Sequence, residues 1–153
     1  MKKIFYYLDG TDCKLLGKLD ISATIVFMTN SCQKKLGRIN VILTNNENLH
    51  KINFDYLQHD AYTDIITFDY CKRRIVSGDL YISADMVEEN AKKFGVSFQK
   101  EMERVIFHGV LHLLKYKDES ENDKIIMRKF ENRMLRHLGR IVLKRRKIVT
   151  VHV

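Results

Sequence analysis

His108 and His112 stand four residues apart in the run Phe107-His108-Gly109-Val110-Leu111-His112-Leu113-Leu114, and Asp118 follows six residues later. Apolar residues at Val105, Ile106, Val110, Leu111, Leu113 and Leu114 surround the pair at helical spacing, so the segment is a helix that must be covered. In such a helix, side chains at i and i+4 share a face, which brings the two imidazoles together one turn apart. The polar stretch from Lys115 to Glu119 suits a reversal that returns Asp118 to the same place.

Two readings are open for such a pair. The rings are either core-edge residues donating to backbone carbonyls, or ligands to a metal. A polar ring on an apolar helix needs a partner, and a metal supplies one. Ligands of the N, N, O kind with a fourth position left for water describe a catalytic zinc site rather than a closed structural one. The zincin signature H-E-x-x-H has the same histidine spacing, and its extended form places the third ligand six residues on, where Asp118 lies. Its general-base glutamate, however, falls at Gly109, which cannot act as a base.

The chain has 153 residues, no proline, no Gly/Ser tract and no internal repeat, which reads as one domain. Residues 1–139 are assigned to it and 140–153 to a basic, poorly ordered tail, whose Ile148-Val149-Thr150-Val151 is strand-like but isolated. The apolar run Ile4–Leu8 is too short for a signal peptide or a bilayer span. Cys13, Cys32 and Cys71 are odd in number and far apart, as reduced thiols are. A cytoplasmic location is expected. The net charge of +8 is concentrated at Lys72-Arg73-Arg74 and from Arg140 to Lys147, which favours a polyanionic partner. Beside a catalytic metal, such charge points to phosphodiester chemistry.

The first third reads as strands with short helical pieces. Ile21–Met28 is rich in β-branched and aromatic residues, and Arg38–Thr44 alternates as a half-buried strand does. Asn45 and Asn46 offer a helix N-cap, with Leu49, Ile52 and Tyr56 following at helical spacing. Asp64–Phe68 and Asp79–Ser83 are compact strands joined through Cys71–Arg74, suited to a hairpin or to neighbouring places. From Ala84 the pattern is helical: one helix to Phe94 before Gly95, a second from about Phe98 to Leu114 capped by Ser97, and a third after Ser120 and Asp123. The third turns Ile126, Met127, Phe130, Met134 and Leu138 inward. The fold class is α+β: a single compact domain with a small mixed sheet covered by helices, one of them a zincin-like metal-bearing helix.

Several segments together resemble one family, the YbeY-type metal-dependent endoribonucleases, also described as rRNA maturation factors. The family pattern H-G-x-L-H-L-x-G-Y-D-H is similar to His108–Asp118, P-T-D-V-L-S-F to Tyr62–Phe68, and G-D-I-x-I-S to Gly78–Ser83. The resemblance spans roughly residues 37 to 138. It implies a fold related to zincins, one bound Zn2+, and single-strand endoribonuclease activity in 16S rRNA 3′-end maturation and ribosome quality control. Carried over by position, the ligands are His108, His112 and Asp118.

The chain departs from that pattern at three places. Asp118 stands where most of the family has His, and a carboxylate is a harder ligand that also accepts other divalent metals such as manganese. Lys115 replaces a turn glycine. Leu57 occupies the position of a family Arg after Tyr56, an Arg suited to clamping phosphate. His59 and Arg73 are weak substitutes, and no catalytic group is assigned beyond a metal-bound water. Lys72, Arg73, Arg74, Lys115 and Lys117 are the candidate RNA contacts, and Asp64 and Asp79 could orient an imidazole, although a cap or turn role suits both. The expected partners are RNA, in particular rRNA and the small ribosomal subunit, with no membrane and no DNA specificity. The alternative is a non-catalytic, zinc-containing ribosome-assembly or RNA-binding protein.

Overall fold

A computed structural model of the chain describes the backbone of residues 2–58 and 63–151, and side chains over the same ranges up to Arg146. Its elements run β1 (Ile4–Leu8), α1 (Lys18–Ser31), β2 (Lys35–Thr44), α2 (Asn46–Leu57), β3 (Ile65–Asp69), β4 (Ile75–Ser83), α3 (Ala84–Phe94), α4 (Phe98–Leu113) and α5 (Glu121–Val151). The sheet order is β1-β2-β4-β3. β2 pairs parallel with both β1 and β4, while β3 pairs antiparallel with β4, so the sheet is mixed and the β3–β4 neighbours are a hairpin.

Register puts the apolar residues of the central strands on one face. Ile39, Val41 and Leu43 of β2 lie beside Gly78, Leu80 and Ile82 of β4, and all but the glycine are buried hydrophobics of the core. Phe107, Ile106, Met102, Val110 and Leu113 of α4 join the same cluster. Each such side chain contributes about 1.5–3 kcal/mol on burial. Gly109 and Gly78 set how close α4 comes. A Cβ on Gly109 would meet Ile65 Cδ1 at 2.7 Å and Leu80 Cδ2 at 2.9 Å, and one on Gly78 would meet the Phe68 carbonyl at 2.5 Å and Leu113 Cδ2 at 2.8 Å. The histidine helix therefore lies so close to the β3–β4 hairpin that a Cβ at either glycine would force its neighbours to shift.

Several local readings hold in detail. Asn45 Oδ1 accepts from the Asn48 amide at the start of α2, Ser97 caps α4, and Gly95 ends α3 at φ 67°. Ser120 and Asp123 bond reciprocally through Ser120 N–H to Asp123 Oδ2 and Asp123 N–H to Ser120 Oγ, the capping box that starts α5.

Three differ. Ile21–Met28 is not a strand but the middle of α1, because Ile21, Ile25 and Met28 recur at helical spacing and are all buried. The hydroxyls of Thr24, Thr29 and Ser31 donate back to carbonyls three or four residues earlier, which lets polar and β-branched residues sit inside the helix. In α5, Met127, Met134 and Leu138 are buried but Ile126 is exposed, one position off the inward stripe. The segment 140–151, expected as an extension with a strand-like end, continues α5 instead. Arg145 Nη2 reaches the Asp20 carboxylate of α1 at 2.6 Å, so the extra turns are tied to the domain rather than leaving it. Among the described residues, no helix is long and apolar enough to cross a membrane.

Candidate metal centre

The end of α4 builds the site. Leu114 closes the helix, and Lys115 adopts a left-handed conformation at φ 76°. The Lys115 amide donates to the His112 carbonyl at 2.9 Å and the Tyr116 amide to the Leu111 carbonyl at 3.0 Å, the two bonds of a Schellman ending. Lysine takes the place that glycine usually fills there, at a cost of about 1–2 kcal/mol, and its ammonium bonds to Asp69 Oδ2 at 2.5 Å. This reversal brings the Tyr116 carbonyl back over the helix, where it accepts from His112 Nδ1 at 3.1 Å. It also brings back Asp118.

His108 Nε2, His112 Nε2 and Asp118 Oδ2 then converge: 3.1 Å between the two nitrogens, 3.0 Å from Asp118 to His112 and 3.2 Å from Asp118 to His108. A carbonyl can only accept, so the neutral His112 ring keeps its proton on Nδ1 and turns a lone pair inward. His108 is held alike, its Nδ1 lying 2.7 Å from Glu131 Oε2 of α5. Two imidazole lone pairs and a carboxylate facing one point repel each other unless a metal ion or a proton sits between them. Ligands on one tetrahedral zinc at about 2.0–2.1 Å stand about 3.3–3.4 Å apart, close to the spacings here. The donor set fits a divalent metal with three protein ligands and an open side.

Glu131 is the residue that sequence reasoning missed. It is buried, and its other oxygen accepts from Arg104 Nη1 at 3.2 Å. Arg104 Nε also stands 3.4 Å from Glu101 Oε1, an ion pair without hydrogen-bond alignment. The only signal in the sequence was Glu131 itself, a charged residue between the inward positions Met127 and Met134. Burial works against protonating His108, but the hydrogen bond and charge of Glu131, with Asp118 and Asp64, outweigh it and hold its pKa above the ordinary value. Burial also pushes the Asp64 carboxyl up, with the neighbouring His108 opposing.

Two clefts meet at the His108 and Asp118 side chains. One, of about 430 Å³, lies between α3, α4 and α5 and is lined by Arg104, Lys124 and Arg128 together with His108, Asp118 and Glu131. The other, about 470 Å³, lies against α2 and β3; Asn53, Leu57, Thr63 and Thr67 line it with both histidines. Asp64 and Asp118 face both. Leu57 is therefore beside the ligands, and among the described residues its cleft is lined by no Lys or Arg.

The other site residues predicted from sequence are placed elsewhere. Lys72, Arg73 and Arg74 occupy the exposed β3–β4 turn, with Arg73 at φ 55°, and line neither cleft. Lys117 is exposed beside the ligand turn, and Lys115 is committed to Asp69. Asp79 accepts from Asn40 Nδ2 at 2.9 Å, a cross-strand bond rather than a support for an imidazole. Asp64 takes neither Nδ1, and its carbonyl accepts from the amide of Ser83, the last residue of β4. His59 lies outside the described residues.

Comparison with known proteins agrees with the geometry. The family model described as endoribonuclease YbeY matches residues 16–139. The chain is 49% identical over 112 residues to an endoribonuclease YbeY of Flavobacterium johnsoniae, covering 73% of this chain and 78% of that one. It is 40% identical over 132 residues to that of Bacteroides thetaiotaomicron, covering 86% and 96%. The solution structure of TM1509 from Thermotoga maritima superposes with a TM-score of 0.66 at 25% identity, covering 93% of each chain. The chain belongs to the endoribonuclease YbeY family.

Proposed function

We propose that this protein is a zinc-dependent, single-strand-specific endoribonuclease of the cytoplasm that acts on rRNA of the small ribosomal subunit, in 16S 3′-end maturation and ribosome quality control. One observation carries the metal dependence: both imidazoles have their Nδ1 atoms engaged, so both Nε2 lone pairs and the Asp118 carboxylate meet at one point. The relatives named endoribonuclease YbeY support the RNA substrate.

A divalent metal bound there supplies a Lewis acid for the scissile phosphate and lowers the pKa of water. The residues do the rest. Glu131 and the Tyr116 carbonyl fix the tautomers of His108 and His112. Gly109 leaves the peptidase base position without a carboxylate. Arg128 and Lys124, at the rim of the α5 cleft, hold the phosphate backbone that the Leu57 side cannot. Lys72, Arg73, Arg74 and Lys117 are outer contacts for a longer strand.

Two measurements test the reading. Zinc added to chelated protein should raise its Tm, as binding to the native state alone requires, and Asp118→Ala should abolish that rise. Wild type should cleave a single-stranded oligoribonucleotide, whereas His112→Ala and chelated protein should not. Equal residual cleavage in all three samples would remove the enzymatic reading and leave a non-catalytic assembly role.

A further inference from the structure

Glu131 is the last acidic residue of the chain: from 132 to 153 there are Arg133, Arg136, Arg140, Lys144, Arg145, Arg146 and Lys147 and no Asp or Glu. These seven charges are most of the net +8. They are not spread evenly around α5. At about 100° per residue, Lys129, Arg133, Arg136, Arg140 and Lys144 fall within an arc of about 80°, and all five are exposed. The buried Met127, Met134 and Leu138 occupy the opposite side of the helix. Arg145, on that inner side, pairs with Asp20 of α1 and holds the added turns in line with the rest.

The result is a straight basic stripe about 22 Å long, at about 1.5 Å per residue, whose charges repeat every three or four residues or about 5–6 Å. Its far end lies beyond residue 139, where the match to the family model stops. Its near end joins the metal-side cleft. Arg128 lines that cleft and is itself half exposed, and Lys129 follows it at the start of the stripe.

We infer that the outer face of α5 is a second RNA-binding surface, a phosphate rail that takes the backbone of a strand leaving the cleft at Arg128 and follows it to Lys144 without reading sequence. RNA is the partner because the stripe is continuous with the cleft of an endoribonuclease-family site, and the exposed apolar side chains beside it, Ile125, Ile126 and Leu143, stand at its two ends and do not form the broad apolar face that a membrane interface needs. The choice of RNA rests on the activity proposed above; the rail itself rests on the helix.

The test uses full-length, zinc-loaded protein and two single-stranded oligoribonucleotides, one filling only the cleft and one long enough to reach Lys144. Arg136→Gln/Arg140→Gln/Lys144→Gln should leave Tm and cleavage of the short strand unchanged. For the long strand it should reduce the slope of log K against log salt by about 2 and weaken binding on the order of 100-fold at about 0.1 M salt, as three lost phosphate contacts predict. Arg136→Lys/Arg140→Lys should keep both. An unchanged slope overturns the rail, as does equal weakening for the two strands. Binding of anionic vesicles with unmoved RNA affinity overturns it too. Absence of cleavage by wild type with the slope difference intact counts against the activity and for the rail.

Discussion

Glu131 Oε2 stands 2.7 Å from His108 Nδ1, reaching from α5 to α4 across 23 residues of sequence. It ties the orientation of His108 to the packing of a second helix. His112 draws the same support from its own helix end, through the Tyr116 carbonyl. The two rings are thus set by different levels of structure, one tertiary and one local.

Removing the tertiary support should loosen the metal. Glu131→Ala is expected to weaken zinc affinity about 10–100-fold, the usual effect of losing a carboxylate behind a ligating imidazole. Glu131→Gln, which keeps an acceptor oxygen, should lose less. Competition with a chromophoric chelator measures this without any assay of cleavage, and equal affinity in wild type and Glu131→Ala would mean that the ring needs no such support.

The same contact sets a pH dependence in the metal-free protein. Burial opposes the His108 charge, but Glu131, Asp118 and Asp64 raise its folded-state pKa above the unfolded value of 6.5. A raised histidine pKa adds stability that is fully present below about pH 6.5 and is lost as pH rises through the higher folded value. Chelated wild type should therefore lose more Tm across that window than chelated Glu131→Gln. Parallel curves would show that the pair adds nothing.

Gly109→Ala should destabilise the fold by about 1–3 kcal/mol, an overpacking cost, because its Cβ would fall 2.7 Å from Ile65 Cδ1 and 2.9 Å from Leu80 Cδ2. Those atoms are side-chain ends that can move a little, which places the effect toward the smaller figure. Urea unfolding measures it, and a stability equal to wild type would show that α4 has slack against the hairpin.

Lys115→Gly should stabilise by about 1 kcal/mol. The left-handed backbone at φ 76° costs lysine about 1–2 kcal/mol that glycine does not incur. The exposed pair with Asp69 that would be lost is worth under about 1 kcal/mol. A fall in Tm would assign the pair a larger role than an exposed ion pair ordinarily has.

Much of this was legible beforehand because it is local. The Asn45, Ser97 and Ser120 caps, the Gly95 ending and the span of α4 depend on residues within one or two turns of each other. The misreading of Ile21–Met28 came from weighing β-branched content over spacing, when the buried residues repeat as a helix repeats. The segment from 140 reads as a basic, poorly ordered extension because its strand-like Ile148–Val151 is isolated, while its continuation of α5 is a property of the helix before it. Glu131 could not be paired with His108 at all, since nothing in a one-dimensional pattern says which buried acid meets which ring.

The sequence by itself determined that His108 and His112 share one helix face and that a short polar reversal follows, which is what lets Asp118 meet them. It also determined the charge and the inward positions Met127, Met134 and Leu138 of α5. Only the tertiary structure decided which side of the site is basic: packing α5 across α4 brings Arg104, Lys124, Arg128 and Glu131 to one cleft and leaves Leu57 in the other. That choice depends on contacts between residues far apart in the chain, whose geometry follows from how closely glycine lets α4 approach the sheet.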